Sequence, residues 1–340
     1  MKRRIQTILL ALIVISSSTL TSFGSDSRGA FAVQNQSSQG IEATLILAMQ
    51  SAATAATSTT TTTTQPPNPN PPIVLMPEAS GTTVRSNARI EVDMSNTRDG
   101  YVMVRTRNSH STLTKVLLTD PKGVVHTYTL RTDTQWDVFP LASGNGTYTI
   151  GVFRNISGNQ FSTEFSTTAS VTLVNEFAPF LRPHQFVNYN ENTLAVIAAS
   201  ELVRDAATPL EKIEIIYGHV TAKLSYDTEL ARTVQSGYVP NLDKVWSSEK
   251  GICFCIASLT AAMLRSQGIP TRLVFGYVRD VYHAWISVWT EETGWVDTVI
   301  YFDGKKWILM DPTFRIGASS SQSLSRFIGD GSRYTVRFNF

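Results

Sequence analysis

A stretch without any charged residue divides the chain into two unequal parts. Residues Ser51–Pro72 are dominated by alanine, threonine and proline, with an unbroken threonine run at Thr59–Thr64 and several prolines after it. Such a segment cannot bury enough apolar surface to form a core, and its prolines hold the backbone extended. The sequence therefore predicts a disordered Thr/Pro-rich linker over residues 33–77, with the folded part of the chain after it.

The N-terminus carries the pattern of a secretory signal. Basic residues at Lys2–Arg4 precede the apolar run Ile8–Ile15, and Ala30–Ala32 supplies an A-x-A cleavage pattern. The apolar run is much shorter than the roughly 20 residues that cross a bilayer. We expect a signal peptide over residues 1–32 and no transmembrane span after its cleavage. The predicted location is secreted and extracellular, with association with the cell surface left open.

Charge and cysteine content exclude several classes of protein. The 340-residue chain has a formal net charge of +2, but residues 1–32 carry four basic side chains and one acidic one, so the remainder has a net charge of −1. This near-neutral remainder lacks the electrostatic footprint of a nucleic-acid binder. The two cysteines, Cys253 and Cys255, are too few for a disulfide-stapled scaffold or a four-cysteine zinc site.

The remainder falls into a β-rich part and a mixed part. Alternating runs such as Ala88–Met94 and Thr147–Phe153, separated by turn signals such as Asp120–Gly123, predict a small all-β sandwich-like domain over residues 78–180. From Leu194 onward, apolar residues recur at three- and four-residue spacings, which indicates helices. We therefore predict the α+β class, with a second domain over residues 190–340.

Cys253 is the first candidate catalytic residue. The stripe of Ile252, Ile256, Leu259 and Met263 predicts a helix that starts near Cys253, and Gly268 and Pro270 predict its end. The first turn of a helix has unpaired N–H groups and the positive end of the dipole, which favour a thiolate and can stabilise an oxyanion. A structural cysteine is the alternative interpretation.

Two further residues complete a possible catalytic set. His283 lies in an alternating segment that predicts a strand with two different faces, and it could act as the base for Cys253. Asp311 ends a later strand that follows the turn signal Asp303–Lys305, and a carboxylate there could orient the imidazole. Taken singly, such a histidine or Asp-Pro pair is more often structural.

Together these motifs resemble the transglutaminase-like core. The resemblance rests on Gly251–Cys253, the stretch Leu264–Tyr277, His283–Trp285, Gly294-Trp295 and Met310–Thr313. It covers about residues 213–313, with thirty residues from Cys253 to His283 and twenty-eight from there to Asp311. The resemblance implies a papain-like α+β fold and a Cys-His-Asp triad at Cys253, His283 and Asp311. It implies no cofactor, and the calcium sites of animal transglutaminases cannot be placed because the matching region has no dense acidic loop.

The resemblance also suggests side chains around the triad. Cys255 stands where many family members have an acidic or polar residue, and helix geometry turns it away from the side of Cys253, so we expect it to pack inward. The same geometry disfavours a metal site made by both cysteines and His283. Tyr226 is the candidate oxyanion donor, with core packing as the alternative. Trp246 and Trp285 are candidate substrate-cleft residues, again with core packing as the alternative.

The expected function is a secreted cysteine-dependent acyl transferase or amidohydrolase that forms a thioester on peptide or glutamine-type amides. Transfer to an amine and hydrolysis by water both remain open. One alternative is a cysteine protease that acts on cell-wall or surface proteins. The other is a non-catalytic surface protein that binds peptides. In each case the expected partner is a protein or peptide rather than a nucleic acid.

Overall fold

The structure is a computed structural model that describes residues 67–278, 280–297, 300–302, 307–309 and 334–340. The predicted signal peptide, the linker up to residue 66 and Asp311 lie outside these described residues. Residue contacts join Pro66–Phe340 into one compact unit. None of the helices in the described part combines the length and apolar character that crossing a bilayer requires.

The first half of this unit is built from eight strands. They are β1 (Val84–Ser86), β2 (Ile90–Asp93), β3 (Tyr101–Thr106), β4 (Thr114–Thr119), β5 (Val125–Leu130), β6 (Asp137–Pro140), β7 (Gly146–Ser157) and β8 (Gln160–Val171). They form two four-stranded antiparallel sheets, in the orders β1-β2-β3-β6 and β5-β4-β7-β8. Buried residues of both sheets, such as Val92 and Val116, share one hydrophobic cluster. The predicted β-rich region is therefore confirmed.

Five helices follow the β-rich region. They are α1 (Leu194–Leu202), α2 (Pro209–Lys223), α3 (Thr228–Thr233), α4 (Leu242–Ser248) and α5 (Cys253–Arg265). Local sequence explains where α2 begins: Thr208 and Glu211 form a reciprocal capping box, and Pro209 occupies the first turn, where its missing N–H costs nothing. The α5 helix is buried from Cys255 to Arg265.

The remaining strands lie between and after the helices in the chain. They are β9 (Ser225–Tyr226), β10 (Lys250–Gly251), β11 (Thr271–Val278), β12 (Val281–Thr290), β13 (Gly294–Asp297), β14 (Ile300–Phe302), β15 (Trp307–Leu309) and β16 (Tyr334–Asn339). An antiparallel sheet has the order β13-β12-β11-β16, and α5 packs against its β11 and β12 strands. The β9 and β10 strands pair in parallel, whereas β14 and β15 pair antiparallel. The α+β class is confirmed.

Packing is continuous across the predicted boundary between residues 180 and 190. The ring of Phe186 stacks on Tyr128 of β5 at 5.0 Å and makes an edge contact with Phe254 of α5 at 5.8 Å. Phe340, after β16, contacts both Tyr128 and Phe186. Phe186 thus connects the β-rich region to the helix that begins with Cys253.

Arg265, at the end of α5, forms hydrogen bonds with three segments of the chain. Its fully buried guanidinium donates hydrogen bonds to the carbonyls of Arg182, Thr271 and Phe340 at 2.7–2.9 Å. Burial lowers the pKa of Arg265 to about 10, so the group still carries its charge at neutral pH. These charge-assisted hydrogen bonds hold the end of α5 against Arg182, the start of β11 and Phe340.

The end of the predicted linker belongs to the folded unit. The side-chain amide of Asn70 lies 2.8–3.0 Å from the carbonyl oxygens of Val203, Arg204 and Ala206, which follow α1. Asn68 donates to Ser200 of the same helix at 2.9 Å. The prediction of disorder is therefore wrong for residues 67–77, because asparagines between the prolines satisfy carbonyls left open at a helix end.

Replacing Asn70 with alanine is expected to lower the free energy of unfolding by about 1–2 kcal/mol, because buried carbonyls lose their donor. Urea denaturation followed by tryptophan fluorescence measures the change. Asn159, exposed in the turn between β7 and β8, provides the matched Asn→Ala control. Equal stability of the two variants would show that the hydrogen bonds of Asn70 do not stabilise the folded unit.

Candidate active site

Cys253 is the first residue of α5, as the sequence predicts. Its predecessor Ile252 is the N-cap in an extended conformation, and in the described part of the chain no side chain caps the first-turn N–H groups. Cys253 is a free, half-buried thiol at this end of the helix. The uncapped N–H groups and the helix dipole therefore act at the position where a thiolate or an oxyanion would form.

Cys255 lies in a different environment from Cys253. It is fully buried, which confirms that it packs inward, and its Sγ lies 3.2 Å from the hydroxyl of Tyr238. Burial raises the pKa of the Cys255 thiol, so it stays protonated at neutral pH. A Cβ added at Gly251 would come within 2.6 Å of the Cys255 Cβ, so this turn has room only for glycine.

Tyr226 lies beside the start of α5. The parallel β9–β10 pair sets Tyr226 opposite Gly251, and the next residue, Asp227, donates its N–H to the Gly251 carbonyl at 3.0 Å. The pKa of Tyr226 is raised, first by partial burial and then by the neighbouring thiol groups of Cys253 and Cys255, so its hydroxyl remains a donor. The side chain is 37% exposed, which argues against the core-packing alternative. An oxyanion-donor role for Tyr226 stays a prediction.

His283 lies on β12, the strand against which α5 packs. It pairs with Gly276 of β11, it is 5% exposed, and its ring stacks on Trp285 at a centroid distance of 6.1 Å. Its predicted partner Asp311 lies outside the described residues, two positions past the end of β15. The β14–β15 pair that flanks the predicted turn is present. The triad as a whole stays a prediction.

The two tryptophan candidates have other surroundings. Trp285 is 1% exposed, and its ring makes an edge contact with Tyr334 of β16 at 5.2 Å, so it is a core side chain and the cleft assignment does not hold for it. Trp246 stacks on His219 of α2 at 5.5 Å, with the Lys223 ammonium 4.8 Å from its ring centre. A cleft role for Trp246 stays a prediction.

Sequence reasoning missed two tyrosines near the thiols. Tyr238 contacts Cys255 from a loop seventeen positions earlier in the chain, and nothing in the local pattern indicated this. Tyr282 directly precedes His283 and is largely exposed, and charge on Cys253 contributes to raising its pKa, after burial and Tyr277. Its position in the motif Tyr-His-Ala-Trp was the available signal. Among the described residues, no cluster of three or more His, Cys, Asp or Glu could hold a metal ion.

Three comparisons with known proteins bear on this site. The family model of the transglutaminase-like superfamily matches residues 198–312, which include Cys253, His283 and Asp311. No curated protein matches the chain. A solved structure of a protease candidate from Parabacteroides distasonis has 19% identity and a TM-score of 0.29, and covers 44% of this chain and 33% of that one. This chain thus spans about a third of the length of that protein.

Two further solved structures are similar over more of the chain. A cysteine protease candidate from Cytophaga hutchinsonii has 14% identity and a TM-score of 0.33, and covers 75% of this chain and 89% of that one. The transglutaminase of red sea bream has 14% identity and a TM-score of 0.25, and covers 63% of this chain and 48% of that one. The matched motifs and the helix that begins at the cysteine agree with the family model. Residues 198–312 of this chain form a transglutaminase-like superfamily domain.

Proposed function

We propose that this protein is a secreted cysteine-dependent acyl transferase or amidohydrolase, in which Cys253 is the nucleophile, His283 the general base and Asp311 its orienting carboxylate. The observation that carries the proposal is the placement of Cys253 at the uncapped start of the buried helix α5, which packs against the strand of His283. Peptide or glutamine-type amides are the proposed substrates. Export follows from the expected signal peptide and belongs to the same proposal.

The chemistry would run in two steps. His283 takes the Cys253 proton, Sγ attacks the amide carbonyl, and the uncapped N–H groups of α5 and the Tyr226 hydroxyl stabilise the oxyanion. The C–N bond then breaks, the leaving amine or ammonia takes the proton from His283, and a thioester remains on Cys253. In the second step water or a primary amine gives a proton to His283 and attacks the thioester. The C–S bond breaks and the thiolate recovers that proton.

Thiol labelling tests for an activated nucleophile. Iodoacetamide at pH 6.5 is expected to modify Cys253 faster than free cysteine, while buried Cys255 stays unmodified, with both sites followed by peptide mass spectrometry. Cys253→Ala should abolish the fast labelling, and Cys255→Ala should keep it. Labelling of both cysteines at alkaline pH alone would contradict catalysis and favour a surface protein that binds peptides.

Amine incorporation then separates transfer from hydrolysis. The wild-type protein is incubated with a glutamine-containing peptide and a fluorescent primary amine. Incorporation that depends on Cys253 supports acyl transfer, whereas Cys253-dependent release of ammonia or of peptide fragments without incorporation supports deamidation or proteolysis. The absence of all three reactions over a broad panel of peptides would contradict the proposed enzyme.

A further inference from the structure

Tyr282, which precedes His283 in the sequence, has an exposed ring that packs against other aromatic rings. Tyr282 is 52% exposed, although it lies within a sheet strand. Its ring stacks on Phe275 of β11 at a centroid distance of 6.2 Å with an interplanar angle of 20°. Tyr277 supports it from the side with an edge contact at 5.4 Å. The exposed part of the ring is therefore presented to solvent in one fixed orientation.

The ring contacts continue from Phe275 to the residue that follows the proposed nucleophile. Phe275 makes an edge contact with Phe254 at 4.9 Å, and Phe254 directly follows Cys253 in α5. A group bound against Tyr282 would therefore lie at the end of a run of ring contacts that leads to the residue after Cys253.

A rigid exposed aromatic ring suits binding of an apolar group. Because Tyr282 is already fixed by Phe275 and Tyr277, little side-chain entropy is lost when a ligand covers it. Aromatic side chains contribute large contact areas, and ring pairs add stabilisation beyond the buried area. Arg337 lies near enough to lower the pKa of Tyr282, against the larger effect of burial, and its positive charge disfavours a basic side chain at this place.

We propose that Tyr282 is the specificity-determining residue of the acyl-donor site, where its exposed ring packs against an aromatic or large aliphatic side chain that neighbours the reacting amide of a peptide. The inference rests on the proposed function and names its substrate class. Substrates with an apolar residue beside the target amide are preferred over those with a small polar residue or lysine there.

Paired peptide donors test this assignment. Each pair places either phenylalanine or serine beside the target glutamine, once before it and once after it, and kcat/KM is measured for both members. The wild-type protein is expected to prefer phenylalanine about tenfold or more in one of the two positions. Tyr282→Ala should lose this preference mainly through a higher KM for the phenylalanine peptide, and Tyr282→Phe should keep it. Ile156→Ala, which removes an exposed apolar side chain from β7, is the matched control and should behave as wild type.

Iodoacetamide labelling of Cys253 separates the possible failures, because this small reagent does not need the subsite. Equal labelling in all variants with an unchanged phenylalanine preference in Tyr282→Ala would overturn the assignment of Tyr282 and leave the proposed function standing. The same outcome would follow if wild type turned over both members of each pair equally. If wild type turned over no peptide at all, the proposed function would fail, and this inference would fail with it.

Discussion

Replacing His283 with alanine is expected to slow amide turnover by about a hundred- to ten-thousandfold, the range that a general acid–base residue contributes. His283 is almost fully buried on β12, and α5 with Cys253 at its start packs against that strand. In the proposed mechanism His283 is the base for the Cys253 proton and the acid for the leaving amine, and this variant loses both roles. The loss should therefore appear mainly in kcat.

The pH dependence of alkylation distinguishes a base from a structural histidine. Iodoacetamide labelling of Cys253 in His283→Ala should be much slower than in wild type at pH 6.5. At pH 9.5 the two rates should converge, because hydroxide then takes the place of the imidazole as the base. His110→Ala, on a partly exposed histidine of the β-rich region, is the control and should label as wild type. Equal slowing at both pH values would mean that the substitution disturbs packing rather than proton transfer.

Gly276→Ala is expected to disturb β11, the strand that pairs with the strand of His283, and to lower the free energy of unfolding by about 3 kcal/mol. A Cβ at this position would collide with the backbone carbonyl of Thr335 in β16, and it would lie 2.7 Å from the Trp285 ring. Either β16 separates from β11 or Trp285 moves. Because Trp285 stacks on His283, which pairs with Gly276, turnover should fall as well.

Gly218→Ala is the matched control for this prediction. Gly218 lies within α2, and a Cβ there meets nothing within 4 Å, so alanine should leave stability unchanged or raise it by up to about 1 kcal/mol. Thermal and urea unfolding measure both variants, and the labelling of Cys253 reports on the site. A Gly276→Ala protein as stable as wild type would contradict the close approach of β16 to β11.

Elements that depend on neighbouring residues could be predicted. The start of α5 at Cys253 follows from an apolar stripe with helical spacing, and the start of α2 follows from Thr208, Pro209 and Glu211, all within one turn. Helix geometry places Cys255 on a different side of α5 from Cys253, but the helix is buried at every position from Cys255 to Arg265, so the burial of Cys255 also depends on the packing around the helix. At the two helix starts the deciding interactions are local, so the chain segment carries them by itself.

Contacts between distant segments could not be predicted in this way. The pairing of β16 with β11 joins residues some sixty positions apart, and no local pattern specifies which strand edge such a segment will meet. The alternation of Trp285 with Ala284 and Ile286 indicates a strand. The burial of Trp285 depends in addition on its contacts with Tyr334 of β16 and Gly276 of β11, which that alternation does not specify. Tyr282 also lies on β12 but stays exposed, because Phe275 and Tyr277 contact its ring without covering it.

The uncharged Thr/Pro stretch separates what the sequence determines from what only the tertiary structure decides. Its composition by itself predicts that the stretch adds little to a hydrophobic core, and the motifs after it indicated the transglutaminase-like domain with Cys253 at the start of a helix. Only the tertiary structure decided that Asn68 and Asn70 fasten the end of this stretch to α1. The physical reason is that composition sets how much apolar surface a segment can bury. A hydrogen bond also needs an acceptor without a partner. The carbonyls after α1 become such acceptors for the stretch only when the helix has formed and packed nearby.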